Sequence, residues 1–225
     1  MKYLLTLVAA LLLACQSDND NMPENPIQFL ALGDSYTIGQ SVEESERWPV
    51  QLANRLSESG INTDTPKIIA TTGWRTDQLK AAIEADTELE DQYDLVSLLI
   101  GVNNQFQGKS VESFIPEFEE LLQIAIDLAG DKNRVIVLSI PDYGVTPFGM
   151  SRGEERIARE LDEYNRVSEE ICIREGVRYF NITPISREAK NDPELIASDN
   201  LHPSGKMYSR WVELIFEDVT ELLKK

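Results

Sequence analysis

The amino-acid sequence predicts an α/β protein, a three-layer α/β/α arrangement around a five-stranded parallel sheet. Three observations lead there. Five short apolar runs recur along the chain. Each is continuous rather than alternating, as strands buried on both faces require. The segments between them carry apolar residues at helical spacing on charged bodies. Alternation of this kind builds right-handed strand–helix–strand crossovers.

The first run, IQFLALG at 27–33, opens directly into Asp34 and Ser35. WPVQLANRLSES follows as an amphipathic helix, then KIIATTG at 67–73 as the second strand and TDQLKAAIEA as the second helix. DLVSLLIG at 94–101 is the third strand, and the long SVESFIPEFEELLQIAIDLAG the helix after it. RVIVLSI at 134–140 and VRYFNI at 177–182 are the fourth and fifth strands, joined through ERIARELDEYNRVSEEICIREG. A last helix runs from about Ser204 to Leu223. Five parallel strands most simply take the flavodoxin-like order 2-1-3-4-5, in which ligands bind beyond the carboxyl ends of the strands near the switch point. Ser35, Gly73 and Asn103 follow strands 1, 2 and 3, so their loops are expected to converge.

The ends of the chain bear on destination. MKYLLTLVAALLLAC places one lysine before an apolar stretch too short to span a bilayer and suited to a signal peptide, residues 1–14. Leu12-Leu13-Ala14-Cys15 resembles the bacterial lipoprotein cleavage site, which implies that Cys15 becomes a lipidated N-terminus. A plain secretory signal with an incidental cysteine is the other reading. Residues 15–26 are polar and Pro-containing and read as a tether. The expected protein is exported and held in the bacterial envelope, periplasmic or at the cell surface, with its lipid as the only membrane contact. Residues 27–225 then form one domain of ordinary size.

The net charge of −18 comes without any cluster of Lys and Arg, which argues against a nucleic-acid partner. Of the two cysteines, Cys172 falls in the apolar pattern of a helix and reads as core. Two cysteines and one histidine also leave no zinc-type ligand cluster, so no metal and no cofactor are expected.

That one histidine, His202, stands in SDNLHPSG, three residues after Asp199. Asp199 is near enough in one turn to hold an imidazole nitrogen. Pro203 suits the first position of the last helix and would put His202 at a helix N-terminus, where the macrodipole disfavours the imidazolium. Taken alone, the pair reads as an N-cap beside a surface histidine. Taken with Ser35, Gly73 and Asn103, it reads as the base and orienter of a serine nucleophile.

Gly33-Asp34-Ser35 after the first strand, Gly73 after the second, Gly101-x-Asn103 after the third and Asp199-x-x-His202 near the end resemble the four blocks of the SGNH (GDSL-type) hydrolase family. The resemblance implies a serine esterase or lipase-type hydrolase that works through an acyl-enzyme. By it, Ser35 is the nucleophile, His202 the general base and then acid, and Asp199 its orienter. The N–H groups of Ser35 and Gly73 and the Asn103 side chain form the oxyanion hole. The implied substrate is a short-chain acyl ester, an acetylated carbohydrate or a lysophospholipid. Two positions depart from the pattern: Tyr36 replaces the name-giving leucine, and Asn104 stands where many relatives carry Asp. The alternative class is a non-catalytic ligand-binding lipoprotein on the same fold.

A second serine competes. Residues 149–153 read GMSRG, a formal G-x-S-x-G. A nucleophile elbow needs a strand running directly into the serine, and PDYGVTPF separates Ser151 from the fourth strand. Ser151 with Glu154 reads instead as a capping box. PDYG, Trp48 and Trp74 lie near the predicted loops and are either core residues or substrate walls.

Overall fold

The computed structural model describes residues 25–224. The signal peptide at 1–14, the lipidation candidate Cys15 and the tether as far as residue 24 lie outside the described residues. Among the described residues, no helix is long and apolar enough to cross a membrane.

Five strands form one parallel sheet: β1 (Phe29–Gly33), β2 (Lys67–Ala70), β3 (Leu95–Leu99), β4 (Val135–Leu138) and β5 (Arg178–Phe180). Their order is β2-β1-β3-β4-β5, as the sequence predicts. The inner strands β1, β3 and β4 are buried throughout, while β5 at one edge is only partly covered. That difference explains the composition. FLALG, LVSLL and VIVL carry no charge, whereas the edge strands begin with Lys67 and Arg178.

α2 (Trp48–Glu58) and α8 (Gly205–Leu223) pack together over one face. α5 (Val111–Ala129) packs against both α3 (Thr76–Ala85) and α6 (Pro147–Glu175) over the other. Trp48, Trp211 and Tyr208 are fully buried between the first pair and the sheet, so Trp48 belongs to the core. Cys172 is buried in α6, and burial pushes its thiol up to about 12. The short helices α1 (Ser35–Ile38), α4 (Val102–Phe106) and α7 (Thr183–Arg187) each follow a strand at its carboxyl end.

One helix start and the place of one proline differ from the sequence reading. Ser151 does not cap α6. The helix begins at Pro147, with the Thr146 hydroxyl accepting the Gly149 N–H at 3.1 Å. A proline at the first helical position and a threonine before it outcompete the later Ser/Glu spacing. Ser151 lies exposed within the helix and donates to the Phe148 carbonyl, far from a nucleophile elbow; the helix kinks just beyond, at Gly153. α8 starts where expected, with the Ser204 hydroxyl accepting the Met207 N–H at 3.3 Å, so Pro203 precedes the cap instead of taking the first helical position. His202 therefore sits outside the first turn, where the macrodipole fades.

One glycine sets the close packing beneath the site. Gly33 ends β1 opposite Ala70 on β2 and Leu99 on β3. A Cβ there would fall 2.6 Å from the Leu99 carbonyl and closer still to Thr37. No larger residue lets the chain turn into α1 at this point.

Candidate active site

The loops after β1, β2 and β3 and the segment before α8 surround one cavity of about 170 Å³. Ser35, Gly73, Asn103 and His202 all line it. Tyr36, Phe106, Tyr143 and Phe148 supply most of its walls.

Ser35 opens α1 and is 4% exposed. The turn beneath it is built by Asp34, whose carbonyl accepts the N–H groups of Thr37 (3.1 Å) and Ile38 (3.0 Å). The Asp34 side chain takes the Tyr36 N–H at 3.0 Å. Among the described residues, no protein acceptor faces the Ser35 N–H or the Gly73 N–H. At Gly73 the reason for glycine is φ +87 rather than space, because a Cβ there meets nothing within 4 Å.

Asn103 donates one amide N–H to the Trp74 carbonyl at 2.9 Å, which fixes the plane of its side chain and leaves the second N–H free. Asn104 acts differently. Its Oδ1 accepts the Thr76 N–H at 3.1 Å and its Nδ2 donates to the Thr76 hydroxyl at 2.6 Å. Thr76 in turn donates to Glu117 on α5. This buried chain ties the loop carrying Gly73 to the loop carrying Asn103. Asn104 thus makes the supporting bonds between these two loops.

His202 is 8% exposed, and its Nδ1 lies 2.5 Å from Asp199 Oδ2. The Tyr36 ring meets the imidazole edge-on at 5.8 Å. Asp199 Oδ1 accepts the backbone N–H groups of Leu201 and His202, and its Oδ2 accepts the Ser41 hydroxyl at 2.7 Å. Partial burial works against a charge on Asp199. The hydrogen bonds from His202, Ser41 and Leu201 outweigh it and hold the carboxyl down at about 2. Ser41 and Asn200 are the two non-glycine residues with positive φ among the described residues, at 69° and 63°. Both adjoin Asp199, one through its side chain and one in sequence. Left-handed backbone at such positions is strain that a site retains for geometry.

A neutral imidazole held by a carboxylate can take a proton from a nearby hydroxyl, and the unengaged N–H groups can hold an oxyanion. Among the described residues, no hydrogen bond joins Ser35 Oγ to His202, whose side chain bonds Asp199; such a contact can tighten when substrate is bound. No group of His, Cys, Asp and Glu among them is arranged to hold a metal ion. Sequence reasoning missed Ser41, whose partner lies 158 residues away. It also missed Thr76, Glu117, Phe106 and Phe148, which carry no local motif.

Asp34 introduces an electrostatic tension. Its carboxyl is fully buried and Oδ2 has no partner. Burial pushes its pKa up to about 7 against the opposing pull of the Tyr36 N–H. The folded state therefore holds a proton there that the unfolded chain releases near pH 3.8. Stability from this group is complete below that pH and is lost as pH rises towards 7, by on the order of 4 kcal/mol. Urea unfolding at acid and neutral pH should show a fall that is much smaller in Asp34→Asn. Parallel profiles would exclude Asp34 as the titrating group. Asn104→Ala should lower stability by about 1–3 kcal/mol for each buried Thr76 group left unpaired. An unchanged urea midpoint would mean that the clamp between the two loops carries no energy.

Residues 31–210 match the GDSL-like lipase/acylhydrolase family. A comparison with curated protein sequences found no match. The structure resembles the lipase/acylhydrolase from Enterococcus faecalis at a TM-score of 0.69 and 18% identity, covering 87% of this chain and 96% of that one. It resembles Axe2, an acetylxylan esterase from Geobacillus stearothermophilus, at 0.65 and 16%, covering 86% and 94%. It also resembles the psychrotrophic esterase EstA from Pseudoalteromonas sp. at 0.62 and 16%, covering 88% and 99%. At these identities the likeness speaks to the fold, and the family match speaks to descent. The chain, with Ser35, Gly73, Asn103 and His202 all inside the matched span, belongs to the GDSL-like lipase/acylhydrolase family.

Proposed function

We propose that the protein is a serine ester hydrolase. The observation that carries this reading is the gathering of Ser35, two unengaged backbone N–H groups, the Asn103 amide and an Asp199-bound His202 around one cavity. Ser35 Oγ attacks the ester carbonyl while His202 Nε2 takes its proton. The carbonyl oxygen becomes an oxyanion held by the N–H groups of Ser35 and Gly73 and by Asn103 Nδ2. His202 then returns the proton to the departing alcohol, leaving Ser35 acylated. Water, deprotonated by the same imidazole, releases the acid and restores the serine. Asp199 stays ionised throughout, since its carboxyl is held at about 2, and stabilises the imidazolium that forms in each half-reaction.

The substrate belongs to the range of short-chain acyl esters, acetylated carbohydrates and lysophospholipids. Axe2 and EstA, an acetylxylan esterase and an esterase by name, support ester cleavage on this fold. The lipoprotein-type leader supports action at the bacterial envelope, with Cys15 as the lipid attachment point.

Ser35→Ala and His202→Ala should each lower kcat for a simple aryl ester by about 10³–10⁶, and the double variant little further. Losses that multiply would show that the two do not act as a unit. Retained turnover in Ser35→Ala, or none by the wild type on any ester, would end this reading in favour of a non-catalytic ligand-binding lipoprotein.

A further inference from the structure

The catalytic cavity of about 170 Å³ has a neighbour of about 440 Å³, and the Phe106 ring lines both. Phe106 is the last residue of α4, three positions after Asn103, so its side chain leaves the helix close to the oxyanion donors. It completes a triangle of rings. Phe106 lies 6.1 Å from Tyr143 and 6.1 Å from Phe148, and those two are 6.4 Å apart.

Two corners of the triangle are pinned. The Tyr143 hydroxyl donates to Gln105 Oε1 at 3.0 Å. Phe148 lies beneath the Arg152 guanidinium, 3.6 Å from its ring centre, and its N–H donates to the Asn200 carbonyl at 3.2 Å. Phe106 has no such tie and is 50% exposed. It is the residue that the two linings share.

The spaces differ in chemistry. The catalytic one is walled mainly by rings and Leu201. The larger one is ringed by Lys109, Arg156, Arg159, Glu160 and Glu163, over Val111 and Tyr164. An apolar cavity of about 150 Å³ takes a guest the size of benzene. The catalytic cavity is only slightly larger.

We propose that Phe106 is the acyl-length stop, and that the substrates are esters of acids with about six carbons or fewer. A longer chain must displace the ring to reach the second space, or leave its end in water. A methylene that a pocket cannot accept is worth roughly 10-fold or more in kcat/KM. Removing the ring joins the cavities, and a longer chain can then lie against Val111, Tyr164 and the alkyl stems of the arginines. This inference rests on the ester-hydrolase reading and narrows it to short-chain esters.

The test compares kcat/KM for p-nitrophenyl acetate, butyrate, hexanoate, octanoate and decanoate in wild type, Phe106→Ala and Phe106→Trp. In wild type the value should fall by about 10-fold or more between hexanoate and octanoate. In Phe106→Ala the decanoate-to-butyrate ratio should rise by about 10-fold or more, and in Phe106→Trp the fall should come at shorter chains. The same chain-length profile in all three proteins overturns the proposal and leaves the ester-hydrolase reading standing. Binding of the free carboxylates, followed by tryptophan fluorescence, repeats the comparison without turnover. A Phe106-dependent length limit there, with no hydrolysis of any ester, keeps a length limit at Phe106 and overturns both the ester-hydrolase reading and the substrate class that rests on it.

Discussion

The arrangement depends on one constraint, the parallel, in-register pairing of β1 between β2 and β3. Gly33 lies opposite Ala70 and Leu99, so the three strands end at one level. The loops after them must emerge side by side, carrying Ser35, Gly73 and Asn103. Burial of inner strands without charge holds this register, because slipping by one residue would exchange the sides on which FLALG and LVSLL pack. The close approach of Gly33 to the Leu99 carbonyl then turns the chain into α1 at the position that presents Ser35. Chemistry at the site is therefore inherited from sheet geometry before any side chain is chosen.

Around that frame, polar groups are committed unevenly. Asn104, Thr76 and Glu117 spend their hydrogen bonds on one another, clamping two loops. Asn103 spends one donor on Trp74 and keeps one. Asp199 accepts from four hydrogen-bonding groups at once, which keeps a carboxylate charged in a partly desolvated place. Asp34 is the opposite case, a carboxyl so deeply buried that its charge is disfavoured. Two acids within one site thus hold contrary proton states in mildly acidic solution, each set by how many donors reach it. The left-handed Ser41 and Asn200 show where backbone strain is retained to bring donors to the first of them.

Much of this was legible in the sequence because the relevant residues are scarce or sit at strand ends. His202 is the chain's one histidine, so a candidate imidazole base could stand at no other position. Continuous apolar runs marked the strands, and their ends marked the loops. What stayed hidden depended on competition or distance. Thr146 with Pro147 and Ser151 with Glu154 both look like helix starts, and only the fold shows which one caps. Pro203 suits a first helical position, yet with Ser204 as the cap that position falls to Gly205, two residues later. Ser41 meets Asp199 across 158 residues, and the Phe106–Tyr143–Phe148 triangle joins three segments with no shared motif. Contacts of that kind arise from topology, which no local window contains.

We propose that Ser35, in this fold, is an activated nucleophile. A fluorophosphonate reacts with a serine only where a base and an oxyanion site are already assembled. Incubating the intact protein with such a reagent and mapping the modified peptide tests the claim directly. The expected result is modification confined to Ser35 and abolished by unfolding before exposure to the reagent. Modification at Ser151, or none in the folded protein, would contradict it.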